Sequence, residues 1–321
     1  MNDLINKLKI ASKSSPRRLV FPEGDDLRVL KACRYLKDQG LAIPVILNGD
    51  VAEVVASKEG LSLEGLELIK DFNVDKYVDL LLKRRAHKGL QRVDALKLLQ
   101  DINYRGVLLV ESGFVDGMIS GASHPTASVL RPALEVIKTG DGVKKASSFF
   151  LVFNDSGLFF FSDCAFIVRP NAEELKDIAL ATASSARSFG VEPRVALLSF
   201  STLGSSNHES LCFIRDALAL IKQADSSLVV DGELQLDAAI VPEIAKLKCP
   251  DSVIQGDANV LVFPDLNSGN IGYKLVERIG GCKVIGPVIQ GLRKPVNDLS
   301  RGCSVDDIIN MALITSSEVE K

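Results

Sequence analysis

Arg18-Leu19-Val20-Phe21, then Asp25 to Gln39 with apolar residues at helical spacing and a stop at Gly40, then Ala42-Ile43-Pro44-Val45-Ile46-Leu47, decides the fold class. A short apolar run, a longer amphipathic stretch and a second apolar run make a strand–helix–strand unit, the signature of an α/β chain on a largely parallel sheet. Glycine ends such a helix readily because it adopts left-handed backbone at no steric cost. Val74 to Leu99 adds helical material interrupted near Gly89.

Around Ser147 the texture changes. Ser148-Phe149-Phe150-Leu151-Val152-Phe153 and Leu158-Phe159-Phe160-Phe161 flank the turn residues Asn154-Asp155-Ser156-Gly157, which is a hairpin pattern. Its apolar face needs a cover, expected to be a second subunit, with packing inside its own domain as the alternative. Strand–helix alternation then resumes, with strands expected at Arg194 to Phe200, Leu228 to Val230, Asn259 to Phe263 and Lys283 to Ile289.

The chain has 321 residues, 46% hydrophobic and 25% charged, enough for a substantial core. At roughly 150 residues per domain this suggests two domains, or one large α/β domain. Lys and Arg number 38 against 41 Asp and Glu, and no basic run could neutralise a row of phosphates, so a nucleic-acid partner is not expected. Cys33, Cys164, Cys212, Cys249, Cys282 and Cys303 are dispersed without a CxxC pair and read as reduced thiols rather than disulfides or zinc ligands. Charges interrupt the N-terminal stretch where a signal peptide needs apolar residues, and no run of about 18 apolar residues occurs. A cytoplasmic protein without a membrane partner is expected.

Ligands of open parallel sheets gather where strands enter helices, because free N–H groups and helix dipoles attract anions there. Four junctions stand out: Met118 to Thr126 running on to Arg131, Ser199 to Asn207, Pro264 to Asn270, and Pro295 to Ser304. Their glycines, hydroxyls and the forked donors of Arg131 and Arg301 suit an anionic small molecule, while Ser, Gly and Asn also simply make turns and caps. Ser201, Thr202, Asn270 and Asn297 in these junctions are candidate substrate-binding groups. Neither GxxxxGK[ST] nor GxGxxG after a strand is present, which removes support for ATP and NAD. His87, His124 and His208 lie too far apart in sequence for HExxH-type metal spacing, and no metal is expected. Ser304-Val305-Asp306-Asp307 fits a capping box ahead of the apolar run Ile308 to Leu313, so Asp307 is read either as a helix cap or as a catalytic carboxylate.

Four longer motifs carry a resemblance. They are Ser120-Gly121-Ala122-Ser123-His124-Pro125-Thr126-Ala127 through Arg131-Pro132-Ala133-Leu134; Asp231-Gly232-Glu233-Leu234-Gln235-Leu236-Asp237-Ala238-Ala239; Val262-Phe263-Pro264-Asp265 through Gly269-Asn270-Ile271-Gly272-Tyr273-Lys274; and Gly286-Pro287 through Gln290-Gly291-Leu292 to Lys294-Pro295-Val296-Asn297-Asp298-Leu299-Ser300-Arg301-Gly302-Cys303. Together they resemble the phosphate acetyltransferase (phosphotransacetylase) family over nearly the whole chain. The resemblance implies acetyl transfer between acetyl phosphate and coenzyme A, giving acetyl-CoA and phosphate. It implies no tightly bound cofactor, coenzyme A serving as substrate, and a homodimer. It further implies two α/β domains with largely parallel sheets flanked by helices, an active-site cleft between them, and a first domain, residues 1–140, completed by 299–321, with 141–298 as the second.

Carried over by position, the resemblance implies that Asp307 is the general base, Ser300 the hydroxyl near the coenzyme A sulfur, and Arg301 the guanidinium at the phosphate or acyl oxygens. It implies that Arg131 is a second substrate arginine and Arg85 a third, with Arg84 adjacent. The chain departs from the family pattern in having Ser123-His124-Pro125 where Val-His-Thr is common and Leu203 where a lysine is common. Cys303 beside Arg301 raises a covalent acyl-cysteine route as an alternative. Phosphate butyryltransferase, a decarboxylating hydroxy-acid dehydrogenase and a non-catalytic ligand-binding relative are the rival readings.

Overall fold

The computed structural model describes residues 2–141, 143–155 and 157–319; Met1, Gly142, Ser156 of the expected turn, Glu320 and Lys321 lie outside the described residues. Among the described residues there are eleven strands: β1 (Arg17–Phe21), β2 (Ala42–Ile46), β3 (Glu67–Leu68), β4 (Gly117–Ser120), β5 (Ser147–Asn154), β6 (Gly157–Ser162), β7 (Arg194–Leu198), β8 (Val229–Leu234), β9 (Val260–Val262), β10 (Lys283–Gln290) and β11 (Val296–Asp298). The chain falls into two units, Asn2–Gly142 with Leu292–Lys321, and Val143–Gly291.

In the first unit the opening motif folds as its periodicity dictates. β1 is followed by a helix Leu27–Asp38, which Asp26 caps by accepting a hydrogen bond from the Arg28 N–H at 2.8 Å. The helical material over 74–99 is interrupted near Gly89, as its sequence suggests: Gly89 takes φ +65° between the helices Val74–Arg85 and Arg92–Leu98. The sheet order is β11-β4-β1-β2-β3, all parallel. Helices cover both faces, which is why Leu19, Val20 and Phe21 are fully buried. On one side Val20, Val45 and Met118 pack with Val107, Leu108 and Val136; on the other the C-terminal helix Val305–Glu318 lies with Asn2–Ser14 and Leu27–Asp38. The chain re-enters this unit at Leu292 rather than at the expected residue 299. The reason is β11, which pairs with β4 through Val296–Met118, Asn297–Ile119 and Asp298–Ser120 and therefore belongs to this sheet.

The second unit holds a mixed sheet, β10-β5-β6-β9-β7-β8. Its β6/β9, β9/β7 and β7/β8 pairs are parallel, while β10/β5 and β5/β6 are antiparallel, so three of its five pairings are parallel and the antiparallel two are those of the hairpin strand β5. The aromatic hairpin forms as β5 and β6, but its rings are covered inside their own unit. Phe150 stacks on Tyr273 at 4.2 Å, and Phe149 and Phe160 pack on Phe189 at 6.2 and 6.0 Å. The hairpin therefore needs no second subunit to bury its apolar face. No described helix is long and apolar enough to cross a membrane.

Candidate active site

β1, β4 and β11 are parallel neighbours, so their carboxyl ends lie along one edge of the first unit's sheet, where Pro22–Gly24, Gly121–Pro125 and Leu299–Cys303 leave it. Gly121, at φ +109°, lets two of these ends close: a Cβ there would stand 2.3 Å from Asp298 Oδ1 and 2.7 Å from the Leu299 nitrogen.

Glu23, about 1% exposed, fills the loop after β4. Its Oε2 accepts from the Gly121 and Ala122 N–H groups at 3.0 and 2.8 Å, and its Oε1 from those of Ser123 and His124 at 2.8 and 3.0 Å. The Ser123 hydroxyl donates to Oε1 at 3.0 Å, and His124 Nδ1 lies 2.8 Å from the same oxygen. Consecutive backbone N–H groups curled in this way form an anion-binding nest. The loop was expected to offer those groups to a ligand; here they hold the protein's own carboxylate.

Arg28 joins this loop to the one after β11. Its guanidinium grips Asp26 through Nε at 3.1 Å and Nη2 at 2.6 Å, and donates to the Ala122 carbonyl at 2.8 Å and to the Arg301 and Cys303 carbonyls at 2.9 Å each. This leaves Ser300 and Arg301 exposed on a turn whose backbone is anchored. Among the described residues the Arg301 guanidinium has no partner, and the Ser300 hydroxyl accepts only a 3.3 Å bond from the Gly302 N–H. Cys303 is buried, and burial pushes its thiol up to about 11 despite the opposing charge of Arg28. Burial thus works against the acidic thiol that an acyl-cysteine route needs.

Asp307 is half-buried in the first turn of Val305–Glu318 and forms the capping box. Its Oδ2 accepts from the Ser304 N–H at 3.0 Å and the Ser304 hydroxyl at 2.8 Å, while its own N–H donates to Ser304 Oγ at 3.2 Å. The capping reading is thus realised. Asp298, about 1% exposed, accepts from the Thr126 hydroxyl at 2.6 Å on Oδ2, and its Oδ1 is buried without a partner. Burial, reinforced by the negative charge of Glu23, pushes its carboxyl up to about 7 against the pull of Thr126.

A second group of cations converges on Glu135. Arg131 donates through Nε to Glu135 Oε1 at 3.2 Å, Arg85 Nη1 lies 3.3 Å from the same oxygen, and the Tyr104 hydroxyl donates to Oε2 at 2.5 Å. Arg131 keeps 70% of its side chain exposed, with its terminal nitrogens beyond this contact. Arg84, one position earlier, turns instead to Glu111, which Arg293 also contacts. Adjacent helical residues point about 100° apart, and that rotation makes Arg85, not Arg84, the neighbour of Arg131.

Asn297 is fully buried and donates to Thr315 Oγ1 at 3.0 Å and Glu318 Oε2 at 2.6 Å. It faces the C-terminal helix, because successive strand residues point to opposite faces. Ser201 and Thr202 lie in the second unit and are engaged by neighbouring residues there. Ser201 is fully buried and donates to Glu233 Oε1 at 3.0 Å, and Thr202 Oγ1 accepts from the Gln235 N–H at 3.0 Å. Leu203 stands beside them with φ +41°. Glu233 also accepts from the Gly204 N–H at 3.0 Å and from Arg215 at 2.8 and 2.9 Å. Burial alone would raise its carboxyl, but Arg215 and these donors hold it at about 2. Asn270 is half-buried and donates to the Cys164 carbonyl at 3.1 Å.

Glu23, Arg28, Asp298, Tyr104 and Glu135 escaped sequence reasoning. For Glu23 and Arg28 a signal existed, since both stand just past the carboxyl end of the first strand.

A family model described as phosphate acetyl/butaryl transferase matches residues 3–316. The chain is 43% identical to a phosphate acetyltransferase of Thermoanaerobacterium thermosaccharolyticum and 42% identical to one of Bacillus subtilis, with 99% of each chain covered in both cases. Among solved structures, a phosphotransacetylase from Streptococcus pyogenes aligns with TM-score 0.94 at 42% identity, covering 99% of this chain and 98% of that one.

Proposed function

The chain belongs to the phosphate acetyl/butaryl transferase family and is a transferase, and on that premise we propose that it moves an acetyl group between acetyl phosphate and coenzyme A. The observation that carries this reading is the turn after β11. It presents an exposed serine and an exposed guanidinium, its backbone is pinned by Arg28, and a carboxylate stands six residues on, at Asp307.

A free thiol is only a few per cent ionised at neutral pH, and a placed carboxylate accelerates proton removal by about 10²–10⁴. Asp307 takes that proton while Ser300 orients the sulfur by hydrogen bonding. Capping does not forbid this, since a carboxylate has roughly four lone-pair positions. As sulfur adds to the acetyl carbon, charge grows on the carbonyl oxygen and Arg301 stabilises it. Arg131 and Arg85 neutralise the departing phosphate, which needs charge compensation more than a strong acid. Holding both reactants in line lowers the barrier further. The acetyl rather than the butyryl group is chosen on the relatives' names, and turnover of the two acyl phosphates tests that choice.

The test is thioester formation from acetyl phosphate and coenzyme A by the purified chain. Asp307→Asn lowers turnover by at least about 10²-fold with coenzyme A binding nearly intact. Wild-type turnover with only about 1 kcal/mol of lost stability would leave Asp307 a helix cap. Arg301→Ala, Arg131→Ala and Arg85→Ala raise the KM for acetyl phosphate, and unchanged kinetics in all three would remove the anion site. A homodimer fits this reading on different grounds from the hairpin: Ile271, Leu275 and Ile279 form an exposed apolar stripe at helical spacing, 58%, 50% and 81% exposed. A monomer mass by light scattering would rule it out.

A further inference from the structure

Acetyl transfer from acetyl phosphate to a thiol carries a proton with it. The thiol loses one, and the phosphate leaves as a form that has gained one. The reading above gives Asp307 the thiol's proton and leaves the proton of the phosphate without a carrier. We propose that His124, oriented by the buried Glu23, carries it, so that the site uses two proton-transfer groups. This proposal rests on the acyl-transfer reading of the Ser300–Asp307 segment.

The geometry is that of an imidazole fixed by a carboxylate. His124 Nδ1 stands 2.8 Å from Glu23 Oε1 and its backbone N–H is 3.0 Å from the same oxygen, so ring and main chain are held by one atom. Glu23 itself cannot swing away, because the N–H groups of Gly121, Ala122 and Ser123 and the Ser123 hydroxyl also bind it. A carboxylate accepting from Nδ1–H leaves Nε2 as the nitrogen that gains and loses a proton. The side chain is 33% exposed while Glu23 is about 1% exposed, so the anchor is inside and the working nitrogen belongs to the accessible ring. The loop lies on the same strand edge as Arg301, tied to it through Arg28, which bridges the Ala122 and Arg301 carbonyls. The charged and titratable groups packed around this loop are Glu23, Arg28 with Asp26, Asp298 and Cys303.

In the step, the sulfur–carbon bond forms and the bond between the acetyl carbon and the phosphate oxygen breaks. The departing oxygen keeps the bonding pair and takes a proton from His124 Nε2, while Asp307 holds the proton from the thiol. Water then removes the proton from Asp307 and returns one to His124. In the reverse direction neutral His124 takes the proton of hydrogen phosphate as that oxygen attacks acetyl-CoA.

The test measures initial rates in both directions across pH on the full chain, with Asp307→Asn and Arg301→Ala run beside the histidine variants. His124→Gln retains an N–H donor and melts close to wild type, and its turnover falls about 10²-fold in both directions with the KM for coenzyme A unchanged. His124→Ala loses the limb of the wild-type pH profile that belongs to the imidazole, and added imidazole restores its rate at least several-fold. Glu23→Gln displaces that limb without abolishing it, as a positioning residue should. Turnover of His124→Ala within threefold of wild type overturns the proposal, as does a loss that imidazole does not repair and that leaves the pH profile intact. If Asp307→Asn and Arg301→Ala are impaired while His124→Ala is not, only the histidine's role falls. If all three behave as wild type, or the wild type makes no thioester, the acyl-transfer reading has failed first.

Discussion

Glu23 and Glu233 occupy equivalent places in the two units. Each stands at or just beyond the carboxyl end of a parallel strand, β1 or β8, and each reaches into the loop that leaves the neighbouring strand, β4 or β7. Each is about 1% exposed. Their counter-charges differ. Glu233 faces the Arg215 guanidinium through both oxygens, whereas Glu23 is balanced by four backbone N–H groups, a serine hydroxyl and an imidazole. A full positive charge makes a static brace, because the carboxylate has little attraction left for anything else. Glu23 instead meets partial charges from peptide dipoles and a hydroxyl, and its one ionisable partner is the His124 imidazole.

The largest effect that could break this comparison is Glu233→Ala, which leaves the Gly204 N–H and the Ser201 hydroxyl without their acceptor and Arg215 without its counter-ion. A fall in melting temperature of roughly 5–10 °C is expected. A melt within a degree of wild type would show that Glu233 braces nothing.

Glu233 and Asp298, one in each unit, titrate in opposite senses, which gives the next prediction. Glu233 is held at about 2 against an ordinary 4.5, so its contribution is fully present above pH 4.5 and is lost as pH falls towards 2. Asp298 is raised from an ordinary 3.8 to about 7, so the folded chain keeps a proton there that the unfolded chain has released, and stability falls as pH rises from about 4 to 7. Urea midpoints at pH 5 and pH 8 read the second effect, and Asp298→Asn narrows the gap between them. An unchanged gap would mean that Asp298 ionises as an ordinary carboxyl.

The smallest difference concerns the two serines. Ser201 is fully buried between Glu233 and the Ser206 N–H, and Ser201→Ala is expected to cost about 1–2 kcal/mol. Ser123→Ala removes one of several donors to Glu23 at a partly exposed position, with an expected loss of about 0.5–1 kcal/mol. Equal losses by chemical denaturation would erase the distinction between the loops.

Much of the architecture was legible. The runs at Arg17–Phe21, Ala42–Ile46, Arg194–Leu198 and Lys283–Gln290 lie within a residue or two of where the apolar pattern puts them. The hairpin and the break at Gly89 were legible for the same reason, since turn residues and a left-handed glycine act locally. β11 was not, because three residues carry no periodicity and are a strand only where β4 offers a partner. The site was legible as a set of residue types in order along the chain. Which of them face one another was not. Arg85 and Arg84 differ only by a helical rotation, and Asn297 and Asp298 only by the face of a strand.

Residue chemistry and spacing along the chain determined the α/β class, the positions of most strands and the kinship of the motifs, because burial periodicity and backbone preferences operate over a few neighbouring residues. Tertiary structure alone decided that Glu23 fills a nest 98 to 101 residues away, that Arg28 pins carbonyls 273 and 275 residues further on, and that the hairpin's rings are covered within their own unit. Hydrogen bonds and ion pairs act across space at about 3 Å, so a carboxylate distant in sequence can take the donors that local reading assigns to a ligand.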